Sequence, residues 1–304
     1  MDTRSPRVSI GLPVYNGDKY LNEAIETILA QTYEDFELII SDNASTDQTA
    51  EICRRYAAKD KRIKYYRNNE NLGLQKNLNR LVELSSGEYF MWAHHDDIHS
   101  SDFVDKAIKV LQENPSVVLC CSKTRDIDEN GKLLPRIEVS LNFKSPHVEE
   151  RFCDLIRMDH LCEPLFGLIR IDILRRTGLN GSFADADRVL LAELSFYGPF
   201  HQIPEFLFYR RSHSLQSTAM FPSRQERTIF YDPTKVGKIV FPHFREFVEY
   251  LHVVNRAAIK WPDRLACYLH LMKWAKVNYA RLASDISFGM KQLLMPCWRL
   301  IKNG

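Results

Sequence analysis

The run Glu37-Leu38-Ile39-Ile40-Ser41-Asp42-Asn43-Ala44-Ser45-Thr46-Asp47-Gln48 decides the fold. Residues 37 to 41 read as a short, largely apolar strand that stops at a carboxylate, Asp42. Ser45 and Gln48 then have the spacing of a capping box, which predicts a helix that turns Ile52 and Tyr56 inward. A strand that passes through a polar cluster into a helix is the repeating unit of an α/β protein with a mostly parallel sheet.

The same alternation extends to both sides. Upstream, Val8 to Leu12 reads as a strand, and Leu21, Ile25, Ile28 and Leu29 as one helical face. Downstream, strands are expected at Ile63 to Tyr66, Tyr89 to Ala93 and Val117 to Cys121. Helices marked by Leu74, Leu78 and Leu81 and by Phe103, Ala107 and Leu111 separate them. Polar clusters follow three of the strands, at Pro13 to Asp18, Asp42 to Asp47 and His94 to Asp97. Ligands of open α/β sheets sit outside the carboxyl ends of the strands, so these clusters are expected to converge on one crevice.

After Ser122 the pattern becomes α+β. It predicts a hairpin around Glu129-Asn130-Gly131, a loop to Pro146, a helix near Glu149 to Met158 and an apolar run at Leu165 to Ile171. A helix over Asp187 to Tyr197 and two short strands, Phe200 to Ile203 and Phe206 to Tyr209, follow, and from Gly237 the pattern is helical.

Over 304 residues, 45% are hydrophobic and 26% charged, as in a soluble globular protein rather than a disordered or membrane-spanning one. Forty-one Lys and Arg against 39 Asp and Glu leave a net charge of +2, which argues against a nucleic-acid-binding surface. Seven Cys without repeated CxxC spacing predict reduced, mostly buried thiols. The polar start at Met1 to Arg7 and the lack of any 18-residue apolar run predict a cytosolic location, with attachment to the inner face of a membrane left open. The Asn-x-Ser sequons at Asn43 and Asn180 are then chance matches.

Four clusters could carry chemistry. Leu12-Pro13-Val14-Tyr15-Asn16-Gly17 is a strand end broken by Pro, or simply a tight turn. Asp42 is a strand-end carboxylate of the kind that binds ribose in other nucleotide sites. In Asn71-Leu72-Gly73-Leu74-Gln75-Lys76-Asn77, Gly73 permits close backbone approach, and a loop with a helix cap is the simpler alternative. In Ala93-His94-His95-Asp96-Asp97-Ile98-His99, hard carboxylate oxygens suit Mg²⁺ or Mn²⁺ on a diphosphate. Its three His also admit zinc, although no Cys completes a tetrahedral set. Trp92, inside an apolar strand, reads as core rather than a sugar platform.

Taken in order, Pro13-Val14-Tyr15-Asn16, Ser41 to Asp47, Asn71-Leu72-Gly73 and Asp96-Asp97 resemble the motifs of family 2 glycosyltransferases, with the likeness running from about Val8 to Ser217. The resemblance implies the A-type nucleotide-sugar-binding fold, an α/β architecture with a Rossmann-like, mostly parallel central sheet and flanking helices. It implies a catalytic domain over 1–220, with a nucleotide-binding half near 8–122 and an acceptor half near 123–220, then a helical C-terminal extension over 221–304.

The implied activity is inverting, non-processive transfer of a sugar from a nucleotide-sugar donor, UDP-linked, to a hydroxyl on a glycan or lipid-linked acceptor in glycan or cell-surface polysaccharide biosynthesis. The Gln-x-x-Arg-Trp segment of processive relatives is absent. By the resemblance, Pro13, Tyr15 and Asp42 would line the uridine pocket with Asn16 and Ser45 beside them, and Asn77 would lie near the ribose or diphosphate. Asp96 would hold a divalent cation, Mn²⁺ or Mg²⁺. His94 replaces the usual first Asp of the metal motif and, with His95, would sit at the donor, where a neutral imidazole can donate a hydrogen bond or ligate a metal. Tyr209-Arg210-Arg211-Ser212-His213 resembles the segment that closes over the diphosphate, with Arg210 and Arg211 neutralising its charge and His213 on the metal side.

Asp187 resembles the family's catalytic base, with Asp185 as rival; without the resemblance, Asp at a helix start is more simply a cap. Gly167 matches a recurrent stretch on the acceptor side, and His160 and Glu163 lie just upstream of it.

Two other readings compete. A sugar nucleotidyltransferase needs a Gly-rich basic loop, and residues 11 to 19 offer only Gly11, Gly17 and Lys19. A catalytically degenerate nucleotide- or glycan-binding relative is suggested by His94. Finally, Asn255 to Gly304 carries nine Lys or Arg against two acidic residues, interleaved with Trp261, Trp274, Leu293, Leu294 and Trp298. That composition fits helices packed on the catalytic domain or lying on anionic lipid.

Overall fold

In the computed structural model the described residues are 5–137, 144–157, 160–221 and 223–302, with side chains described except at 217–218 and 291–302. Met158 lies outside the described residues, as do the side chains of Leu293, Leu294, Cys297 and Trp298.

The first half alternates as expected. It runs β1 (Val8–Val14), α1 (Asp18–Leu29), β2 (Phe36–Asp42), α2 (Thr49–Lys59), β3 (Ile63–Arg67), α3 (Leu74–Leu84), β4 (Tyr89–Trp92), β5 (Ile98–His99) and α4 (Phe103–Glu113). The second half adds β6 (Leu119–Ile127), β7 (Leu133–Leu134), α5 (Val148–Arg157), β8 (Leu168–Arg170), α6 (Ile171–Leu174), α7 (Ala186–Leu194) and β9 (Phe200–Arg211). The helices α8 (Ser217–Met220), α9 (Arg224–Tyr231), α10 (Pro242–Arg256), α11 (Trp261–Val277) and α12 (Tyr279–Lys302) complete it.

The strands form one sheet in the order β3-β2-β1-β4-β8-β6-β9-β5, with β7 on β6. Pairing is parallel from β3 to β4 and again between β6 and β9. It is antiparallel wherever β8, β7 or β5 joins.

Both β1 and β2 are buried along their whole length, because helices cover both faces. Val8, Ile10, Leu12 and Val14 point into one core with α1, α2 and α4, while Ile39, Phe90 and Trp92 point into another with α3 and α7. Trp92 is core, as expected, and its indole donates to Leu78 O at 3.1 Å. Gly11 lets α3 approach β1, since a Cβ there would lie 2.8 Å from Phe90 and 3.0 Å from Leu81. A third core joins α5 and α7 to α10 and α11 through Phe152, Val189, Tyr250, Leu271 and Trp274.

The crevice opens where β1 and β4 part. Their pairing stops at Gly11 and Trp92, while β1 stays paired with β2 to Val14. Pro13 sits just beyond that point, where its missing N–H costs no ladder bond to β4. The sheet order reverses there, the expected position of a ligand site.

Two expectations are corrected. The residues from Phe200 onward form one strand, not two, because β9 absorbs Pro204 in register shifts against β6 between Ser122 and Thr124. The predicted Ser45–Gln48 capping box does not form, since Ser45 Oγ accepts from Asn16 N at 3.0 Å while Asp47 Oδ1 takes the Thr49 amide at 3.0 Å. The neighbouring loop outcompetes the helix end for the hydroxyl.

Cys53, Cys120, Cys121, Cys153, Cys162 and Cys267 are free and buried. Asn43 and Asn180 are buried too, which closes both sequons to modification. Among the described residues no helix is long and apolar enough to cross a membrane.

Candidate active site

The loops after β1 and β2 are laced together. Asn16, at φ 49°, accepts the Thr46 amide on its Oδ1 at 2.8 Å, and Gly17 N donates to Thr49 Oγ1 at 3.0 Å. Asp42 is fully buried; its carboxylate accepts from Ser45 N at 2.8 Å and Tyr65 Oη at 2.7 Å, and Arg67 pairs with it at 3.3 Å. Asn77, also buried, accepts from Ser41 Oγ at 2.6 Å and donates to Ser41 O at 2.9 Å. Asp42 and Asn77 therefore hold the walls of the crevice in place, while Tyr15, 40% exposed, presents an open ring at its mouth.

At the carboxyl end of β4, one ligand atom each from His94, Asp96 and Asp97 lie within 4.8 Å of one another. His94 packs edge-on against Phe166, ring centroids 4.5 Å apart, and His95 lies over Gly17, where an added Cβ would meet its ring at 2.4 Å. Asp96 Oδ2 is 2.8 Å from His213 Nε2, so His213 grips the carboxylate, and its Nδ1 is buried with no partner among the described residues.

Burial works against the Asp96 charge, but His95, His213 and His94 outweigh it and hold its carboxyl below the usual range. Burial and then the Asp96 charge push Asp97 well above that range, only partly offset by the Arg211 amide at 2.9 Å. Two buried carboxylates of opposite tendency, with an imidazole beside them, form a mixed nitrogen and oxygen donor set that fits a divalent cation, Mn²⁺ better than Ca²⁺.

Arg211 is turned inward rather than toward the crevice. Its Nε donates to Asp96 O at 2.9 Å, its Nη1 to Asp128 O and Glu129 O at 3.3 and 3.2 Å, and its Nη2 to Glu23 at 2.6 Å. The guanidinium also lies over the Tyr20 ring at 4.7 Å. Arg210 pairs with Asp126 at 2.9 Å, in a network that Arg136 extends to Glu163 at 2.7 Å. His160 is likewise internal, with Nε2 on Leu155 O and Nδ1 accepting from Cys162 N.

Asp187 opens α7 and, among the described residues, has no ion-pair partner; its Oδ1 accepts the Arg188 amide at 2.9 Å. Burial and the Asp185 charge raise its pKa. Asp185 differs, for Arg224 of α9 pairs with it at 2.7 Å and bridges to Glu246 of α10 at 2.7 Å. A 3₁₀ turn, Glu163–Phe166, connects the two ends of the site, with Phe166 against His94 and Cys162 facing Asp187. At the rise of such a helix Cys162 and Phe166 are about 8 Å apart along its axis.

Sequence reasoning missed Arg224, Glu246 and Phe166. Nothing local marks the first two, which meet Asp185 only through the fold, whereas Phe166 lies next to the Gly167 already singled out.

The family model described as Glycosyl transferase family 2 matches residues 9–176. An uncharacterized glycosyltransferase of Haemophilus influenzae is 28% identical over 228 residues, 73% of this chain and 71% of its own length. Another, from Rickettsia typhi, is 39% identical over 122 residues, 40% of this chain, and the match spans only 37% of that relative's length.

Among solved structures, S. aureus TarS 1-349 in complex with UDP-GlcNAc is 15% identical with TM-score 0.68, over 94% of this chain and 81% of that one. Mannosyltransferase PcManGT from Pyrobaculum calidifontis, in complex with GDP-Man and Mn²⁺, is 17% identical with TM-score 0.55, over 99% and 84%. At these identities the likeness is one of fold.

Proposed function

The chain belongs to glycosyl transferase family 2, and from that premise we propose that it moves a sugar from a UDP-linked donor to a hydroxyl acceptor with inversion at the anomeric carbon. The observation that carries the reading is the pairing, along one 3₁₀ turn, of the His94, Asp96 and Asp97 cluster with a carboxylate that has no ion-pair partner among the described residues, Asp187. A diphosphate needs the first and an attacking hydroxyl the second.

The acceptor hydroxyl forms its bond to the anomeric carbon as the bond to the diphosphate oxygen breaks. Asp187 takes the hydroxyl proton, and its raised pKa makes it a stronger base than an ordinary aspartate. Tyr15 offers its ring to the base of the nucleotide, and Pro13, Asn16 and Ser45 shape the pocket floor that Asp42 and Asn77 brace. Asp96, with His94 and Asp97, would hold a divalent cation, which supplies Lewis-acid neutralisation of the diphosphate. His213 orients Asp96, and Arg211 fixes its backbone. Residues 1–220 form the catalytic unit in this reading, with the helices beyond supplying the Arg224 contact.

Melting of the purified chain with UDP, GDP, CDP and TDP, each with and without Mn²⁺, tests the donor class, since a ligand that binds the folded state raises its melting temperature. A Mn²⁺-dependent rise with UDP alone is expected. No rise with any nucleotide would turn the reading toward a degenerate relative.

A further inference from the structure

Helix α11 has two apolar faces. Cys267, Leu271 and Trp274 are buried in the third core. On the other side, Trp261, Leu265, Leu269 and Met272 follow at spacings of four, four and three, which gathers them on an arc of about 80° at 100° per residue. All four are open, at 65%, 47%, 56% and 63% exposure.

Lys276 falls within the same arc and Lys273 about 40° beyond it, both exposed, and Lys260 precedes Trp261. None of the three has an ion-pair partner among the described residues. The helix's single acidic residue, Asp263, projects about 160° away from the centre of the arc. The described part of α12 repeats the motif, with Tyr279, Ile286 and Met290 exposed at spacings of seven and four.

The charges select the occupant. A two-fold contact between copies of this face would bring like charges together, Lys273 and Lys276 of one chain near Lys260 of the other if the helices run antiparallel, or against the same lysines if they run parallel. Aliphatic side chains, a tryptophan and unpaired lysines without an intervening acid instead match the acyl boundary, carbonyl layer and phosphates of a bilayer. We propose that the outer arc of α11 is a docking surface for an anionic lipid membrane. Apolar side chains enter the headgroup boundary while the lysines reach lipid phosphates. The inference rests on α11 alone and stands whether or not the chain transfers a sugar.

Co-sedimentation of the full chain with phosphatidylcholine vesicles, with and without about 30% phosphatidylglycerol, tests it. The chain is expected to sediment with the anionic vesicles, less so as salt screens the attraction. Replacing both lysines (Lys273→Gln with Lys276→Gln) should weaken partitioning about 30-fold. Leu265→Ser with Leu269→Ser should weaken it at least as much, about fourfold for each CH₂ withdrawn from lipid.

Melting temperatures and far-ultraviolet spectra of the variants should match the parent, since all four positions are open. No sedimentation at low salt, or binding that both double variants retain, overturns the proposal. So does lipid-independent dimerisation, seen by analytical ultracentrifugation, that the leucine variant abolishes.

Discussion

Replacing Arg211 with Met keeps a side chain of similar length but withdraws the guanidinium from the Tyr20 ring and the hydrogen bonds to Asp96 O, Asp128 O, Glu129 O and Glu23. The guanidinium is only 2% exposed, whereas Glu23 is 51% exposed and can rehydrate, as can the carbonyls of the turn at Asp128 and Glu129. The largest loss is the charged bond to the Asp96 carbonyl, about 1.5–3 kcal/mol, with smaller contributions from the rest. The sum is about 3 kcal/mol, below the full cost of breaking a buried ion pair.

For a chain of this size that corresponds to a fall of about 5 °C in Tm. Arg211→Lys should recover part of it, since one ammonium can satisfy one or two of the four acceptors but not the planar fork. Because the freed backbone carries Asp96, Mn²⁺ affinity should also fall, by about 10- to 100-fold, as when a ligand's supporting partner is removed. Urea unfolding and calorimetric Mn²⁺ titration read the two effects. An Arg211→Met protein that melts within about 1 °C of the parent and binds Mn²⁺ unchanged would refute the assignment of Arg211 as the brace of the metal motif.

Asp187→Asn should lower turnover by about 10²- to 10⁴-fold while leaving UDP binding, followed by calorimetry, near that of the parent; retained turnover would place the base elsewhere. The raised pKa of Asp187 puts the acidic limb of kcat/KM above the ordinary aspartate range, with activity lost as pH falls through it, and Asp185→Asn should move that limb to lower pH. A limb that does not respond would separate Asp185 from the base. Asp96→Asn should abolish the Mn²⁺-dependent part of the UDP melting shift, and a full shift in that variant would count against the cluster as the metal site.

Burial opposes the charge of Glu37, but Lys64 at 2.5 Å with Ser9 and Ser86 reverses this and holds its pKa below the ordinary value. Its contribution to stability is therefore present above the unfolded pKa and lost as pH falls through the folded one. Glu37→Gln should remove about 1–3 kcal/mol near neutrality and flatten the acid limb of the stability curve, and an unchanged curve would contradict this.

The strands and helices of the first half were legible because each buries a regular apolar pattern, and the clusters at their ends stood out against it. Asp42 and Asn77 were legible as positions, but sequence could not show that their side chains point into the wall, since the partners Tyr65, Arg67 and Ser41 come from neighbouring strands. Arg211 read as a residue for the diphosphate because Tyr209 to His213 resembles the family's segment that closes over it; the hairpin turn at Asp128 and Glu129 instead gives it carbonyls. Phe200 to Ile203 and Phe206 to Tyr209 read as two strands, whereas extra residues in β9, Pro204 among them, are absorbed as register shifts against β6 and one strand continues. The split between Asp185 and Asp187 was hidden because the deciding cation, Arg224, lies in a helix that follows β9.

Since Asp185 draws its counter-charge from Arg224, the segment after residue 220 is not a free cassette that relatives could exchange. A chimera carrying a foreign α9 without that arginine would leave two carboxylates side by side at the start of α7, lifting the proton affinity of Asp187 further. Sequence drift in α9 and α10 would then retune the pH at which the enzyme works without touching a residue that meets sugar.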